Sequence, residues 1–248
     1  LLASAMIVSS VISWIIGSTV RMFRYSGRYG AGRSRMQWAA GLVALLFVAL
    51  FARPVVAQTA QAAPAKAART LLVMGDSLSA AYGLSPAQGW VALTADRIGK
   101  TRPGWRVVNA SISGETTAGG AARIEAELQR HKPAVVVIAL GANDGLRGLP
   151  LAQTRANLEK MIKAAQARKA KVLLVGMRMP PNYGPDYTRG FEQNYSVLAK
   201  QYDTALLPFL LEPIALDRNA YQADNLHPVA SAQPKLRDHV WKTLEPLL

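Results

Sequence analysis

The chain has 248 residues, with 29 Lys and Arg against 15 Asp and Glu, a formal net charge of +14 and no cysteine. This length allows one or two domains. The absence of cysteine excludes disulfides and thiolate catalysis and is compatible with an oxidising compartment. There is no zinc-finger spacing and no basic–aromatic interleaving, so we expect no nucleic-acid partner. A solvated basic surface is the simplest interpretation of the charge, and attraction to anionic membrane lipids or to acyl-CoA phosphates is the alternative.

The N-terminal part combines features of export and of membrane insertion. Leu1 to Val20 carries no charge and is long enough to span a bilayer. An arginine-rich stretch and a second apolar run, Ala39 to Ala52, follow it, and Val55 and Ala57 then occupy the −3 and −1 places of a signal-peptide cleavage site. We therefore predict export to the periplasm with cleavage near Ala57. Retention of the apolar segments as a membrane anchor is the alternative.

The run at the very start of the chain has two interpretations. It can be a transmembrane helix that forms a hairpin with its arginines in the cytoplasm. Alternatively, translation begins at Met22 or Met36, and a signal peptide that begins near Met36 needs nothing upstream. We favour the second interpretation. The predicted organisation is an apolar extension and signal peptide in 1–57, a disordered linker rich in Ala, Gln and Pro in 58–69, and one folded domain in 70–248.

Strand and helix patterns alternate five times after the linker. The predicted strands are Leu71–Gly75, Trp105–Ala110, Ala134–Leu140, Lys171–Met177 and Ala205–Phe209, and apolar residues at helical spacing follow each of them. This alternation predicts a parallel sheet with helices on both faces. Right-handed crossovers then bring three polar turns to one edge of the sheet: Gly75–Ser77, Ser111–Gly114 and Gly141–Asn143.

Ser77, the first hydroxyl after the first strand, is the candidate nucleophile. Asp76 and Ser77 alone fit a helix cap equally well. A nucleophilic serine also needs a base and a group that orients the base, so the presence of these two groups distinguishes the interpretations. Of the three histidines, only His227 has a carboxylate at i−3, that of Asp224, which can hold one ring nitrogen and leave the other free. His131 and His239 are most simply surface residues.

Acyl transfer also needs donors for a developing oxyanion. The main-chain N–H groups of Ser77 and Gly114 and the side-chain amide of Asn143 lie in the predicted edge turns and can supply them. A turn glycine and a turn asparagine are the simpler interpretation of each residue in isolation. The combination of serine, glycine, asparagine and Asp-x-x-His at one edge favours a hydrolase.

These residues resemble the four sequence blocks of the SGNH (GDSL) hydrolases, in the family's order. The blocks are Gly75-Asp-Ser-Leu78, Gly114, Gly141-Ala-Asn-Asp144 and Asp224-Asn-Leu-His227. The resemblance covers 70–248 and is closest to the bacterial members that hydrolyse acyl-CoA thioesters, lysophospholipids and aryl esters. It implies a flavodoxin-like three-layer α/β/α fold with a five-stranded parallel sheet. It also implies a catalytic set of Ser77, His227 and Asp224, an oxyanion hole of Ser77, Gly114 and Asn143, and no cofactor or metal.

The same resemblance suggests that Asp144 to Leu149 forms a mobile loop over the substrate, with Asp144, Leu146 and Leu149 as substrate-binding residues. Ala142 stands where these relatives more often have glycine. The expected partner is a small acyl ester or thioester, and a monomer is the default assembly. Two alternatives stay open: a carbohydrate O-acetylesterase, which needs a small acyl pocket, and a non-catalytic, membrane-tethered binding module.

Overall fold

The computed structural model describes residues 69–248. The predicted N-terminal extension and signal peptide, 1–57, and the linker up to residue 68 lie outside the described residues. The first strand begins at Arg69, the last residue of the predicted linker. The main-chain N–H of Arg69 donates to Gly104 O at 2.8 Å, and its guanidinium lies 5.6 Å from the ring centroid of Trp105. In residues 69–248, no helix has the length and apolar character required to cross a membrane.

Five parallel strands form one sheet in the order β2-β1-β3-β4-β5. Their bounds are β1 Arg69–Gly75, β2 Trp105–Asn109, β3 Val135–Ala139, β4 Lys171–Val175 and β5 Ala205–Leu207. All five predicted strands are confirmed, with ends that differ by one or two residues. The short β5 lies at an edge of the sheet, which fits the proline that follows its last residue.

Helices cover both faces of the sheet. They are α1 Trp90–Thr101, α2 Thr117–His131, α3 Ala142–Leu146, α4 Leu151–Ala167, α5 Pro185–Tyr202 and α6 Gln233–Leu244. Successive strand residues point to opposite faces. Leu71 and Val73 therefore join a core with α1 and α6, whereas Leu72 and Met74 join a second core with α2, α4 and α5. The three-layer α/β/α fold is the predicted one.

The strand order determines where a site can form. The chain passes from β1 to β2 on one side, and then crosses back to β3 on the other side of β1. Ligands of open parallel sheets bind beyond the carboxyl ends of the strands, at the point where the strand order reverses. Here that point lies between the turns after β1 and β3, which carry Ser77 and Asn143.

Candidate active site

The turn that carries Ser77 is fixed by its neighbours on both sides. A side chain on Gly75 would bring a Cβ within 2.7 Å of Ser79, so only glycine lets the strand pass so close to the turn. The carboxylate of Asp76 accepts a hydrogen bond from Leu78 N at 3.0 Å, and Asp76 O accepts from the N–H groups of Ser79 and Ala80. These bonds hold the turn so that the Ser77 side chain faces the cleft.

Asp76 is an almost fully buried carboxyl group. Burial raises its pKa from the ordinary 3.8 to about 6, although the hydrogen bond from Leu78 N and the charge of His227 act in the opposite direction. Its other oxygen lies 3.4 Å from Asn143 Nδ2. Asp76 thus links the nucleophile turn to the turn after β3.

A chain of two short hydrogen bonds joins Ser77, His227 and Asp224. Ser77 Oγ lies 2.8 Å from His227 Nε2, and His227 Nδ1 lies 2.7 Å from Asp224 Oδ2. The second oxygen of Asp224 accepts from the main-chain N–H groups of Leu226 and His227. The hydrogen bonds from the His227 main chain, the His227 ring and Leu226 lower the pKa of Asp224 from 3.8 to about 2.

The loop that carries His227 is itself held against the nucleophile turn. Gln222 N donates to His227 O at 2.8 Å, and Gln222 Nε2 donates to Tyr82 O at 2.9 Å. The Tyr82 ring lies 4.4 Å from the His227 ring, centroid to centroid. The imidazole is therefore fixed by Asp224 at Nδ1 and by Tyr82 on a ring face, which leaves Nε2 for Ser77.

Gly114 and Asn143 line the same cleft as Ser77. Gly114 has a φ of +79°, a conformation that favours glycine. Asn143 Nδ2 donates to Glu115 O at 3.0 Å. Within residues 69–248, the main-chain N–H groups of Ser77 and Gly114 donate to no protein acceptor. Both N–H groups are thus available to a ligand in the cleft.

The cleft has a volume of about 680 Å³. Many of its lining side chains are apolar, among them Met177, Met179, Pro180, Phe209, Leu211 and Ala215. Clefts of about 300–1,000 Å³ hold ligands of drug size. The volume is far larger than an acetyl group alone occupies, so it favours a longer acyl chain over the small acyl pocket expected of an O-acetylesterase.

Two of the three residues predicted to bind substrate lie elsewhere. Asp144 is 2 % exposed and points away from the cleft; its Oδ2 accepts from Thr117 N at 2.8 Å and its Oδ1 from Thr117 Oγ1 at 2.5 Å. Leu149 is half-buried and does not line the cleft, whereas Leu146 does. The prediction was wrong for Asp144 because this carboxylate binds the N-terminus of α2. The first three residues of the predicted loop over the substrate, Asp144 to Leu149, instead lie in the helix α3.

The other two histidines lie outside the cleft but are more buried than expected of surface residues. His131 Nε2 lies 3.3 Å from Glu127 Oε2, and His239 Nε2 lies 3.0 Å from Phe209 O. Their side chains are 15 % and 17 % exposed. Both therefore have structural partners, and only His227 reaches Ser77.

Comparison with known proteins places the chain in a family. Residues 73–233 match the model of the GDSL-like lipase/acylhydrolase family. Esterase TesA of Pseudomonas aeruginosa is 54 % identical over 182 residues, which cover 73 % of this chain and 90 % of that protein. The thioesterase 1/protease 1/lysophospholipase L1 of Escherichia coli K12 is 44 % identical over 184 residues, 74 % of this chain and 87 % of that protein. The crystal structure of TesA, 54 % identical, superposes with a TM-score of 0.71 and covers 73 % of this chain and all of that one. The chain therefore belongs to the GDSL-like lipase/acylhydrolase family, the SGNH hydrolases, and is a hydrolase of acyl esters.

Proposed function

We propose that the chain hydrolyses aryl esters, lysophospholipids and acyl-CoA thioesters through an acyl-enzyme on Ser77. The observation that carries the proposal is the continuous Ser77–His227–Asp224 hydrogen-bond chain at one end of a large apolar cleft. An intact set of this kind disfavours a non-catalytic binding module.

The geometry supports a two-step mechanism. His227 Nε2 takes the proton of Ser77 Oγ as that oxygen attacks the acyl carbon and forms the new C–O bond. Asp224 keeps Nδ1 protonated and stabilises the imidazolium that results. His227 then gives the proton to the alcohol or thiol leaving group, and the acyl chain remains on Ser77. A water that loses its proton to His227 attacks the acyl carbon, and the proton returns to Ser77 Oγ as the fatty acid is released.

The negative charge of each tetrahedral intermediate needs donors in place before the reaction. We assign this role to the N–H groups of Ser77 and Gly114 and to the amide of Asn143. The Asn143 amide donates to Glu115 O in the resting site, and an amide nitrogen carries two hydrogens. One hydrogen holds Glu115. The other makes only the longer, 3.4 Å contact with Asp76 Oδ2 in the resting site, and we assign it to the oxyanion.

The cleft supports a preference for acyl chains longer than acetyl. Each methylene of the acyl chain that leaves water to contact the apolar side chains of the cleft makes the binding free energy more favourable. We expect kcat/KM for p-nitrophenyl hexanoate or decanoate to exceed that for the acetate by about tenfold or more, and Ser77→Ala to abolish all of these activities. A preference for acetate would instead favour an O-acetylesterase.

Thioester hydrolysis can be measured directly. The chain has no cysteine, so a thiol-reactive chromogen reports only the coenzyme A released from an acyl-CoA. Release of thiol by the wild type and not by Ser77→Ala would support the thioesterase activity. Equal release by both would contradict it.

For location and partners, we propose a monomeric hydrolase domain that is exported to the periplasm, is cleaved near Ala57 and contacts membrane lipids. The arginines, the apolar run 39–52 and the Val55 and Ala57 positions support export. N-terminal sequencing of the mature protein tests the cleavage: a terminus near Gln58 is expected, and an intact apolar segment would favour the membrane anchor.

A further inference from the structure

The exposed apolar side chains of the domain are concentrated around one opening. Six large apolar side chains of residues 69–248 are exposed. Three of them, Tyr82, Leu146 and Leu226, line the cleft that contains Ser77. Ile112 directly precedes the lining residue Ser113, and Leu216 directly follows the lining residue Ala215. We call these five residues the rim patch.

The residues of the rim patch lie in the loops that follow β1, β2 and β5 and in the helix α3 that follows β3, at the carboxyl edge of the sheet. Single exposed apolar residues are ordinary, but a group of them around one opening marks an interaction surface. Leu216 is 99 % exposed and Ile112 50 % exposed, and neither lines the cleft. Catalysis inside the cleft therefore gives no reason for these two side chains to be leucine and isoleucine.

The exposed charged side chains that line the cleft are those of Arg178 and Arg218, and among residues 69–248 the only acid in that lining is the buried Asp76. Exposed acids that lie nearby outside the lining include Glu192, 3.6 Å from Arg178, and Asp217, next to Leu216. Arg147, also exposed, donates to Gly114 O at 3.1 Å beside the opening. Arginines near a membrane surface are attracted to anionic headgroups, and each adds to the affinity.

From this arrangement we propose that the rim patch docks on the surface of a lipid bilayer that contains anionic lipids. The leucine, isoleucine and tyrosine side chains enter the headgroup region, and the three arginines contact lipid phosphates. Docking places the opening of the cleft against the membrane, so that a lipid molecule with a single acyl chain can enter the cleft without crossing water. The role of docking, delivery of a lipid substrate to the cleft, rests on the proposed function. The binding of the protein to the membrane does not require hydrolysis.

The test is the sedimentation of the protein with vesicles of phosphatidylcholine, with and without phosphatidylglycerol. It uses the Ser77→Ala background, so that no lipid is hydrolysed. We expect binding to vesicles that contain phosphatidylglycerol, on the order of tenfold tighter than to phosphatidylcholine alone and weakened by added NaCl. The double variant Ile112→Ser/Leu216→Ser should need roughly tenfold or more lipid for half-binding, because two large side chains no longer leave water.

Val197 provides the matched control. It is the remaining exposed large apolar residue, 38 % exposed on α5, and it does not line the cleft. Val197→Ser should bind vesicles like the parent. When Ser77 is kept as serine, the double variant and Val197→Ser should both hydrolyse soluble p-nitrophenyl butyrate at the wild-type rate.

Two results would overturn the proposal: no binding of the parent to either kind of vesicle, or equal binding of the parent and the double variant. Failure of the wild type to hydrolyse the soluble ester would instead count against the proposed function. The vesicle measurement does not depend on that result, because it uses the inactive Ser77→Ala background.

Discussion

Asn143 and Glu115 join two separate edge turns through the hydrogen bond from Asn143 Nδ2 to Glu115 O, 3.0 Å long. Glu115 is in turn held by Arg123, whose Nε lies 2.7 Å from its Oε1. Because Gly114 precedes Glu115, the same contacts fix its main-chain N–H relative to the Asn143 amide. Two of the three proposed oxyanion donors are thus held in place by one connected set of hydrogen bonds.

Asn143→Ala should lower kcat for p-nitrophenyl esters by about 10²–10³ and change KM little, since the lost donor acts on charge that develops in the transition state. Asn219→Ala, an exposed asparagine that does not line the cleft, is the control and should retain wild-type kcat. A loss confined to KM would show that Asn143 binds the ground state and not the oxyanion.

Asp144→Ala should destabilise the domain by about 1–3 kcal/mol, because it leaves the N–H and hydroxyl of Thr117 without their buried acceptor. It should also lower kcat, because Asp144 follows Asn143 directly and fixes α3 against α2. Thermal unfolding and ester hydrolysis measure the two effects. Asp186→Ala, at a carboxylate whose side chain is 94 % exposed, should leave kcat unchanged and lower stability much less than Asp144→Ala does. Wild-type stability of Asp144→Ala would contradict this role.

Asp224→Asn should lower kcat by about 10⁴, because an amide can no longer hold His227 with its Nδ1 protonated. In the wild type, the lowered pKa of Asp224, about 2, keeps this carboxylate ionised at every pH above about 4. The variant should therefore be impaired by the same factor across the neutral and mildly acidic range. An impairment that vanishes toward about pH 5 would contradict the assignment.

Asp76 predicts a pH dependence of stability with the opposite sign from that of a paired carboxylate. Its pKa is raised to about 6 in the folded state against 3.8 in the unfolded state. The folded state therefore binds more protons between these values, and stability falls as pH rises from about 4 to about 6. The raised pKa corresponds to at most ~3 kcal/mol.

Melting temperatures of the wild type and Asp76→Asn at about pH 4 and pH 7 measure this contribution. The variant does not titrate at position 76, so it should gain stability relative to the wild type as pH rises through this range. A difference between the two proteins that is independent of pH would contradict the raised pKa.

Most of the sheet could be predicted from the sequence because its strands are short apolar runs bounded by glycine, proline and polar turns. The helix α3 could not, because five residues are too few to show a helical apolar period. The sequence therefore predicts a continuous polar turn and loop in this segment.

The side-chain partners of residues in the edge turns could not be predicted, because they come from segments far away in the sequence. Asp144 accepts a hydrogen bond from Thr117, 27 positions away in the sequence, and Asn143 donates one to Glu115, 28 positions away. A polar residue beside a predicted site can face either the substrate or a helix end, and for Asp144 the role in substrate binding rests on the family resemblance alone. The pair Asp224 and His227 could be predicted because three positions on one turn suffice to bring the two side chains together.

Labelling of the folded domain with a fluorophosphonate, followed by intact mass measurement and peptide mapping, tests directly whether Ser77 is the nucleophile. We expect one adduct per chain, located on Ser77, which forms slowly in Asp224→Asn and not at all in Ser77→Ala. A label on another residue, or full ester hydrolysis by Ser77→Ala, would contradict this role of Ser77.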